Sequence, residues 1–524
     1  MNNIESLLQE PLFQHFHRIC RIPHGSGNEA ALAEELLCWA KEKGFQAEKD
    51  AAGNVLIRRP ASPGCENAPS VMLQAHLDMV CVKRPGSLHD FQKDPIPWQI
   101  EGDWLTTGGE TSLGADDGIG AALAMTMLET GWPCEAAAAG FPELEALFTV
   151  GEEEDFAGAL GFDMARSRAK YLINLDHIEE HTVICGSCGG MRADFRLPLA
   201  EQRVPAGSTF WKLTVSGLAG GHSGEDIHRG RGNAIRLLAR CLDAANASGC
   251  SFGICVLEGG SSRLSIPVSA GALICMDPEN AEIFRLSAEA FEKTARRELG
   301  GSGTKLRICI DPAVGAIPTA NASPAAEVQA AAGVNREAAE QIPPALTFAE
   351  AEPVTEAILL FPDGISEMNA DLEGLVDSSD NLGEAYYRPG SGRLELVSEI
   401  RAARESQRDA IFRRMQRLGR RLGAEVSCSE PYPGWEYQPE GKLLDAVIRV
   451  HDGYCGFEPF LKTVHAGLEV GFFLEKCPGL EAVSIGPDLK DLHSVSERLS
   501  ISSALHFQGY LKCLLEELGR ETGV

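Results

Sequence analysis

Ser70-Val-Met-Leu-Gln-Ala-His-Leu-Asp78 is an apolar run of strand length that ends on an imidazole and a carboxylate two residues apart. Alternate residues of an extended segment share a face, so His76 and Asp78 project together. The arrangement recurs. Leu144 to Val150 is a second apolar run, followed by Gly151-Glu-Glu-Glu154, and Tyr171 to Leu175 is a third, followed at once by Asp176. Each time the His or the acids stand at the C-terminal end of a strand or just beyond it, where open α/β sheets collect their ligands.

Working outward, Gly25-Ser-Gly-Asn28 opens a helix with Leu32, Leu36, Trp39 and Ala40 at helical spacing, and Gly44 ends it. Asn54 to Arg58 reads as a strand. Ile119 to Glu129 is an Ala/Met-rich helix whose start follows Asp116 and Asp117. Strands alternating with helices over the first 185 or so residues predict an α/β domain, its sheet mainly parallel with helices on both faces. From about residue 191 the pattern changes to an α+β unit: Phe210 to Ser216, a glycine-rich turn from Gly217 to Gly224, a helix from Asn233 to Ala247, and strands at Gly271 to Met276 and Leu394 to Ile400. His493, in Leu492-His-Ser494, has the chemical character of the early site residues. The last hundred residues are therefore expected to return to the first domain, giving residues 1–190 and 431–524 as one domain and 191–430 as an insertion. Ala322 to Glu352 and Ala136 to Gly140 are compositionally poor and read as peripheral loops or surface helices.

With 524 residues and a formal net charge of −28, the chain is too long for one ordinary core and too acidic for nucleic acid or an anionic membrane as partner. No basic region followed by an apolar stretch opens it, and no run of about 18 apolar residues occurs, so export and membrane insertion are not expected. The 16 cysteines do not form a disulfide framework; Cys38, Cys241 and Cys275 sit inside apolar patterns, which points to the cytosol. Cys185-Gly-Ser-Cys188 has no second such pair to complete a four-ligand zinc site, and reads as a buried turn.

Two imidazoles and three carboxylates suffice for a pair of divalent cations when one carboxylate bridges, which leaves a further Glu as a base for metal-assisted hydrolysis. Singly, each stretch has a plainer reading. His76 and Asp78 could be a hydrogen-bonded pair, Glu152 to Asp155 a solvated acidic run, and Asp116-Asp117 the cap of a helix.

Taken in order, His76-Leu-Asp78, Gly114-Ala-Asp-Asp-Gly-Ile-Gly120, Glu152-Glu153, Asn174-Leu-Asp176, Gly220-Gly-His-Ser-Gly224, His465-Ala-Gly-Leu-Glu469 and His493-Ser-Val-Ser-Glu497 resemble the Xaa-His dipeptidases. These are also called aminoacyl-histidine or cytosol non-specific dipeptidases, within the co-catalytic zinc exopeptidases. The resemblance implies two zinc ions per subunit, with Mn²⁺ or Co²⁺ also suited to nitrogen and oxygen donors. His76, Asp116 and Asp176 would hold one ion, and Asp116, Glu153 and His493 the other. Glu152 would be the general base and Asp78 would orient His76. The inserted unit would be a lid and dimerisation domain, so that His222 reaches the partner subunit's site and stabilises a developing oxyanion. Arg401, with His465, Gly467 and Glu469, would bind the substrate's C-terminal end. The implied reaction is hydrolysis of unblocked dipeptides, Xaa-His included, by a cytoplasmic homodimer.

Some positions depart from the family pattern. Arg263-Leu264 replaces a His-Asn pair and Ala402-Ala403 follows Arg401 where two serines are usual. These leave an amidohydrolase of N-acyl amino acids as an alternative. A non-catalytic metal-binding protein is a second, disfavoured because Glu152 and all the ligands are kept.

Overall fold

The computed structural model describes residues 3–131, 140–313, 344–370 and 374–521. Most of the compositionally poor stretches, 136–139 and 322–343, lie outside them. The chain divides into two compact units, one of Met1–Ser187, Trp435–Val464 and Leu468–Val524, the other of Cys188–Gly434 and His465–Gly467. The three-residue excursion at 465–467 has no counterpart in the sequence pattern.

The first unit is built on an eight-stranded sheet in the order Gln46–Lys49, Val55–Arg59, Leu144–Thr149, Val71–His76, Tyr171–Asn174, Glu481–Ser484, Thr182–Ser187, Phe460–Val464. Pairing is parallel from Leu144–Thr149 through Glu481–Ser484, and again between Thr182–Ser187 and Phe460–Val464. The first two junctions are antiparallel, as is the single bridge between Ser484 and Ile184, so the sheet is mixed with a parallel centre. The antiparallel edge begins as a hairpin closed by Asp50, whose carboxylate accepts from the N–H groups of Gly53 and Asn54 at 2.9 Å each. Val71–His76 and Leu144–Thr149 are buried at every residue, which is why they read as continuous apolar runs rather than alternating ones.

Helices complete this core. Pro11–Cys20 buries Leu12, Phe13, Phe16 and Ile19; Ala30–Lys43 ends where Gly44 turns left-handed at φ 79°, a conformation cheap only for glycine. Ala115–Glu129 is buried along almost its whole length, so its residues are apolar all round rather than on one face.

The second unit is an antiparallel sheet in the order Arg307–Pro312, Thr209–Ser216, Ala270–Met276, Gly253–Gly259, Val376–Tyr387, Arg393–Ala402, Gly189–Pro198, Glu425–Tyr432, with Gly364–Met368 added beside Val376–Tyr387. Ala234–Ala247 starts at Asn233, whose side-chain oxygen accepts from the N–H groups of Ile235 and Arg236. That helix, with Asn280–Leu299 and Phe348–Leu360, contributes to the unit's own apolar core.

Candidate metal centre

The C-terminal ends of the central strands bring His76, Asp78, Glu152, Glu153 and Asp176 together, and two loops add Asp116 and His493. His76 closes its strand with a buried ring. Its Nδ1 lies 2.9 Å from the Asp78 carbonyl oxygen and 3.5 Å from Asp78 Oδ1, so a ring proton sits there and Nε2, the nitrogen a cation would take, faces the acids. Burial would lower this ring's proton affinity, but its bonds with Asp116, Asp176 and Asp78 raise it well above the ordinary imidazole range. Around Nε2 stand Asp116 Oδ1 at 3.1 Å, Asp176 Oδ1 at 3.7 Å and Glu152 Oε2 at 4.0 Å. The second imidazole, His493, places Nε2 2.8 Å from Glu153 Oε1 and 3.3 Å from Asp116 Oδ2. Each oxygen of Asp116 therefore faces a different imidazole.

Backbone contacts hold these groups in place. Asp78 accepts from the N–H groups of Glu152 at 2.9 Å and Glu153 at 3.1 Å, and from the Ser26 hydroxyl at 2.8 Å. One buried carboxylate thus positions both the His76 ring and the turn carrying the two glutamates. Glu497 does the same for the Asp116 loop: its carboxylate accepts from Leu113 N at 2.8 Å, Gly114 N at 3.2 Å, Ala115 N at 2.8 Å and Asp116 N at 3.4 Å. These N–H groups precede the continuous part of the helix, whose backbone is non-helical at Asp116 and Asp117. Among the described residues, three non-glycines have left-handed backbones: Phe156, Asp491 and His493. All lie in the loops that carry Glu152, Glu153 and His493, where strain of this kind collects at functional sites.

Crowding of like charge away from water shifts the groups. Burial, then the charge of Asp116, pushes Asp176 up to about 7. Glu152 is raised well above the ordinary carboxylate range, first by burial and then by Asp176, Glu469 and Glu153, against a lowering pull from His76. Burial would raise Asp78 too, but its bonds from His76, Ser26 and Glu152 N–H outweigh that and hold it down to about 2. Contacts with Asp116 and Glu153 push His493 up to about 10.

A divalent cation pair fits this donor set. Ligand atoms at about 2.0–2.2 Å from a tetrahedral zinc lie roughly 3.3–3.5 Å from one another, close to the His76–Asp116 and His493–Asp116 spacings. The acids in excess of the imidazoles are the charge that two cations would neutralise. Donor atoms of His76, Asp116 and Glu153 converge within 4.8 Å, as do those of His76, Asp117 and Asp176. Asp117, buried and accepting from His76 N at 3.2 Å, is a close neighbour of the centre that carried no site role in the sequence reading.

Glu469 belongs to the same unit. Its Oε2 accepts from Gln74 Nε2 at 2.6 Å and Thr149 Oγ1 at 2.7 Å, and burial pushes it up to about 7. Gln74, Thr149, Ser26 and Glu497 were the supporting residues missing from the sequence reading. Only their neighbourhood in the quoted motifs could have signalled them.

The second unit gathers His222, Arg401 and His465. The His222 Nδ1 accepts from Gly224 N at 3.3 Å and Glu225 N at 3.1 Å, which leaves its proton on Nε2, and burial followed by the Arg401 charge lowers it to about 4. It is a neutral ring with one N–H to give. Arg401 donates to Tyr432 Oη at 2.8 Å and to Ser223 Oγ from Nε and Nη2 at 3.3 and 3.2 Å. His465 Nε2 is 2.7 Å from Ser379 Oγ, and burial, then Arg401, lowers it to about 3. A Cβ on Gly224 would meet the His465 carbonyl oxygen at 1.9 Å, so the 465–467 segment packs here only against a glycine. Gly467 lies on this segment. Arg263, one of the departures, donates from Nε to Glu399 Oε2 at 2.8 Å. The fifteen described cysteines are free, Cys185 and Cys188 among them as buried thiols.

Fold and site define a metallopeptidase-type protein, and comparison with known proteins agrees. Residues 213–301 match the peptidase dimerisation domain of the M20 peptidases. The chain is 35% identical over 518 residues to the cytosol non-specific dipeptidase of Escherichia coli, covering 99% of each. The solved aminoacylhistidine dipeptidase of Vibrio alginolyticus superposes with a TM-score of 0.82 at 32% identity over 98% of both chains. The aminopeptidase PepT of Bacillus cereus shares the fold, with a TM-score of 0.53 at 14% identity over 98% of this chain and 99% of that one. The chain belongs to the family of the cytosol non-specific dipeptidases.

Proposed function

We propose that this protein is a two-metal dipeptidase that cleaves the peptide bond of unblocked dipeptides, Xaa-His among them, in the cytosol. The carrying observation is Asp116, whose two oxygens face two different imidazoles while Glu152, 4.0 Å from His76 Nε2, stands beside them and is free to move a proton. His76, Asp116 and Asp176 would hold one ion and Asp116, Glu153 and His493 the other. Zinc is the preferred metal for a centre of imidazoles and carboxylates, with Mn²⁺ and Co²⁺ able to substitute. Such a pair supplies Lewis acidity at the scissile carbonyl and acidifies the attacking water.

The protein's own groups do the rest. Glu152 takes the proton of the attacking water and delivers it to the leaving amine; its burial, which raises its proton affinity, suits a group that must both accept and donate. Asp78 keeps His76 Nε2 turned inward and fixes the Glu152–Glu153 backbone. His222, neutral with its proton on Nε2, is suited to donate to a developing oxyanion, and by the family resemblance it does so in the partner subunit. Arg401 is suited to the substrate carboxylate. Glu469, a buried acid electrostatically linked to His76, is chemically better matched to the free ammonium end than to the carboxylate end.

No described helix is long and apolar enough to cross a membrane, and the dimerisation-domain match supports a homodimer. The test is a panel of free and N-acetylated dipeptides with protein loaded with Zn²⁺, Mn²⁺ or Co²⁺. Release of amino acids from the free dipeptides is expected. Preference for the N-acetylated set would transfer the chain to the acyl-amino-acid hydrolases, a reading that the Arg263–Glu399 contact in place of a His-Asn pair keeps open.

A further inference from the structure

A second set of metal donors lies in the first unit among residues that the catalytic reading does not use. His451 and Cys455 stand one turn apart on the helix Lys442–Cys455, so their side chains share one face. His181 belongs to the turn entering the strand Thr182–Ser187. The donor atoms of His181, His451 and Cys455 all lie within 4.8 Å of one another. The two rings meet at 3.2 Å between His181 Nδ1 and His451 Nε2.

The tautomer of His451 is set from behind. Its Nδ1 is 2.8 Å from the Phe457 carbonyl oxygen, which can only accept, so the proton is on Nδ1 and the Nε2 lone pair points into the cluster. A backbone carbonyl holding the far nitrogen is the usual support of a ligating imidazole. Two nitrogens on a tetrahedral zinc at about 2.0–2.1 Å lie roughly 3.3–3.4 Å apart, close to the spacing here; a thiolate at about 2.3 Å lies about 3.6 Å from each nitrogen. The space these residues line has a volume of ≈ 10 Å³, room for one ion or one water, and Val183, Ile485, Phe507 and Tyr510 add apolar surface to it. A hydrogen bond between two histidines would account for the rings, but not for a thiol completing a triangle of donors around a space of atomic size.

We propose that His181, His451 and Cys455 form a structural site for a thiophilic divalent transition metal, Zn²⁺ above all, distinct from the catalytic pair. Binding takes the proton from the Cys455 thiol and releases it to solvent. The fourth position is left to water, since the carboxylate of Glu180, which also lines the space, is engaged by His506 Nδ1. The ion clips the helix Lys442–Cys455 to a turn some 270 residues earlier, the kind of long-loop closure from which a cross-link gains most.

The donor chemistry separates this site from the catalytic one, which offers no thiolate. The full-length protein, reduced and desalted, is titrated with Co²⁺ beside Cys455→Ser and His181→Gln variants, and near-ultraviolet thiolate-to-cobalt absorption is recorded. We expect one equivalent of this band per chain in the unsubstituted protein and its loss in both variants, with dipeptide hydrolysis unchanged. Zn²⁺ should abolish the band by displacement, and should raise the melting temperature of the unsubstituted protein more than that of either variant. Absence of the band, or its persistence in either variant, overturns the proposal. So does a zinc-dependent rise in melting temperature as large in the variants as in the parent. Because hydrolysis is read separately, an inactive protein that shows the band would sink the dipeptidase reading and leave this one standing.

Discussion

At the scale of single residues, the proposed centre has groups that would hold metal and one, Glu152, that would move the proton. Glu152→Gln keeps the size of the side chain and removes its basicity, so kcat should fall by about 10²–10⁴ while metal content stays at the parent's value; metal analysis beside steady-state kinetics checks this. Equal loss of metal and activity would instead make Glu152 a ligand. Glu497 acts through backbone: its carboxylate gathers the N–H groups of Leu113, Gly114, Ala115 and Asp116, and the amide of Glu497→Gln would turn a donor toward donors. The expected cost is about 1.5–3 kcal/mol, read as a lower denaturation midpoint, together with weaker metal retention through the misplaced Asp116. Most of the centre was legible in the sequence because His76, Asp176 and the Glu152–Glu153 pair end apolar strands, where side chains converge whatever the loops do. Glu497 and Asp117 were not. Their partners are backbone N–H groups, which leave no residue-type signature, and for Glu497 those partners lie more than 380 residues away.

At the scale of elements, sequence pattern and structure agree where burial is complete and part where it is not. Val71–His76 and Leu144–Thr149 announce themselves as apolar runs, whereas Gln46–Lys49 is half-exposed and polar, so the hairpin it forms with Val55–Arg59 carries no periodic signal. That hairpin makes the sheet's edge antiparallel. Helix packing offers a test by pH. Glu129, at the end of Ala115–Glu129, is reached by Trp39 Nε1 at 2.9 Å, Lys43 Nζ at 2.9 Å and His15 Nε2 at 3.4 Å, and so ties that helix to Ala30–Lys43 and Pro11–Cys20. Burial opposes its ionisation, but the bonds from His15, Lys43 and Trp39 prevail and hold it down to about 2. The carboxyl is thus more acidic folded than unfolded, so its contribution is complete above the unfolded value near 4.3 and is lost as pH falls toward 2. Glu129→Gln should lower the urea midpoint at pH 7, and the gap from the parent should close between pH 5 and pH 2.5. A gap that stays constant across that range would show that packing, not charge, is the Glu129 contribution.

At the scale of the whole molecule, the two units hold different chemistry: one gathers the proposed metal ligands and Glu152, the other a neutral donor imidazole and a guanidinium. The division at Cys188 and Gly434, with His465–Gly467 assigned to the second unit, shows that the chain passes between them more often than composition alone could reveal. If His222 serves the partner's site, activity is a property of the dimer and can be rebuilt from two dead chains. Glu152→Gln lacks the base but keeps His222; His222→Ala lacks the donor but keeps Glu152. Random pairing makes half of the dimers mixed, and each mixed dimer has one complete site, so co-expressed chains should regain roughly one quarter of the parent activity. If His222 instead served its own chain, every mixed dimer would carry two defective sites, and mixing would restore nothing above the residual rates of the separate variants. Reading the recovered rate against the fraction of mixed dimer, set by the ratio of the two chains, tells these apart without any change to fold or metal content. Recovery proportional to that fraction is the expected result, and a flat response would place the oxyanion donor within a single subunit.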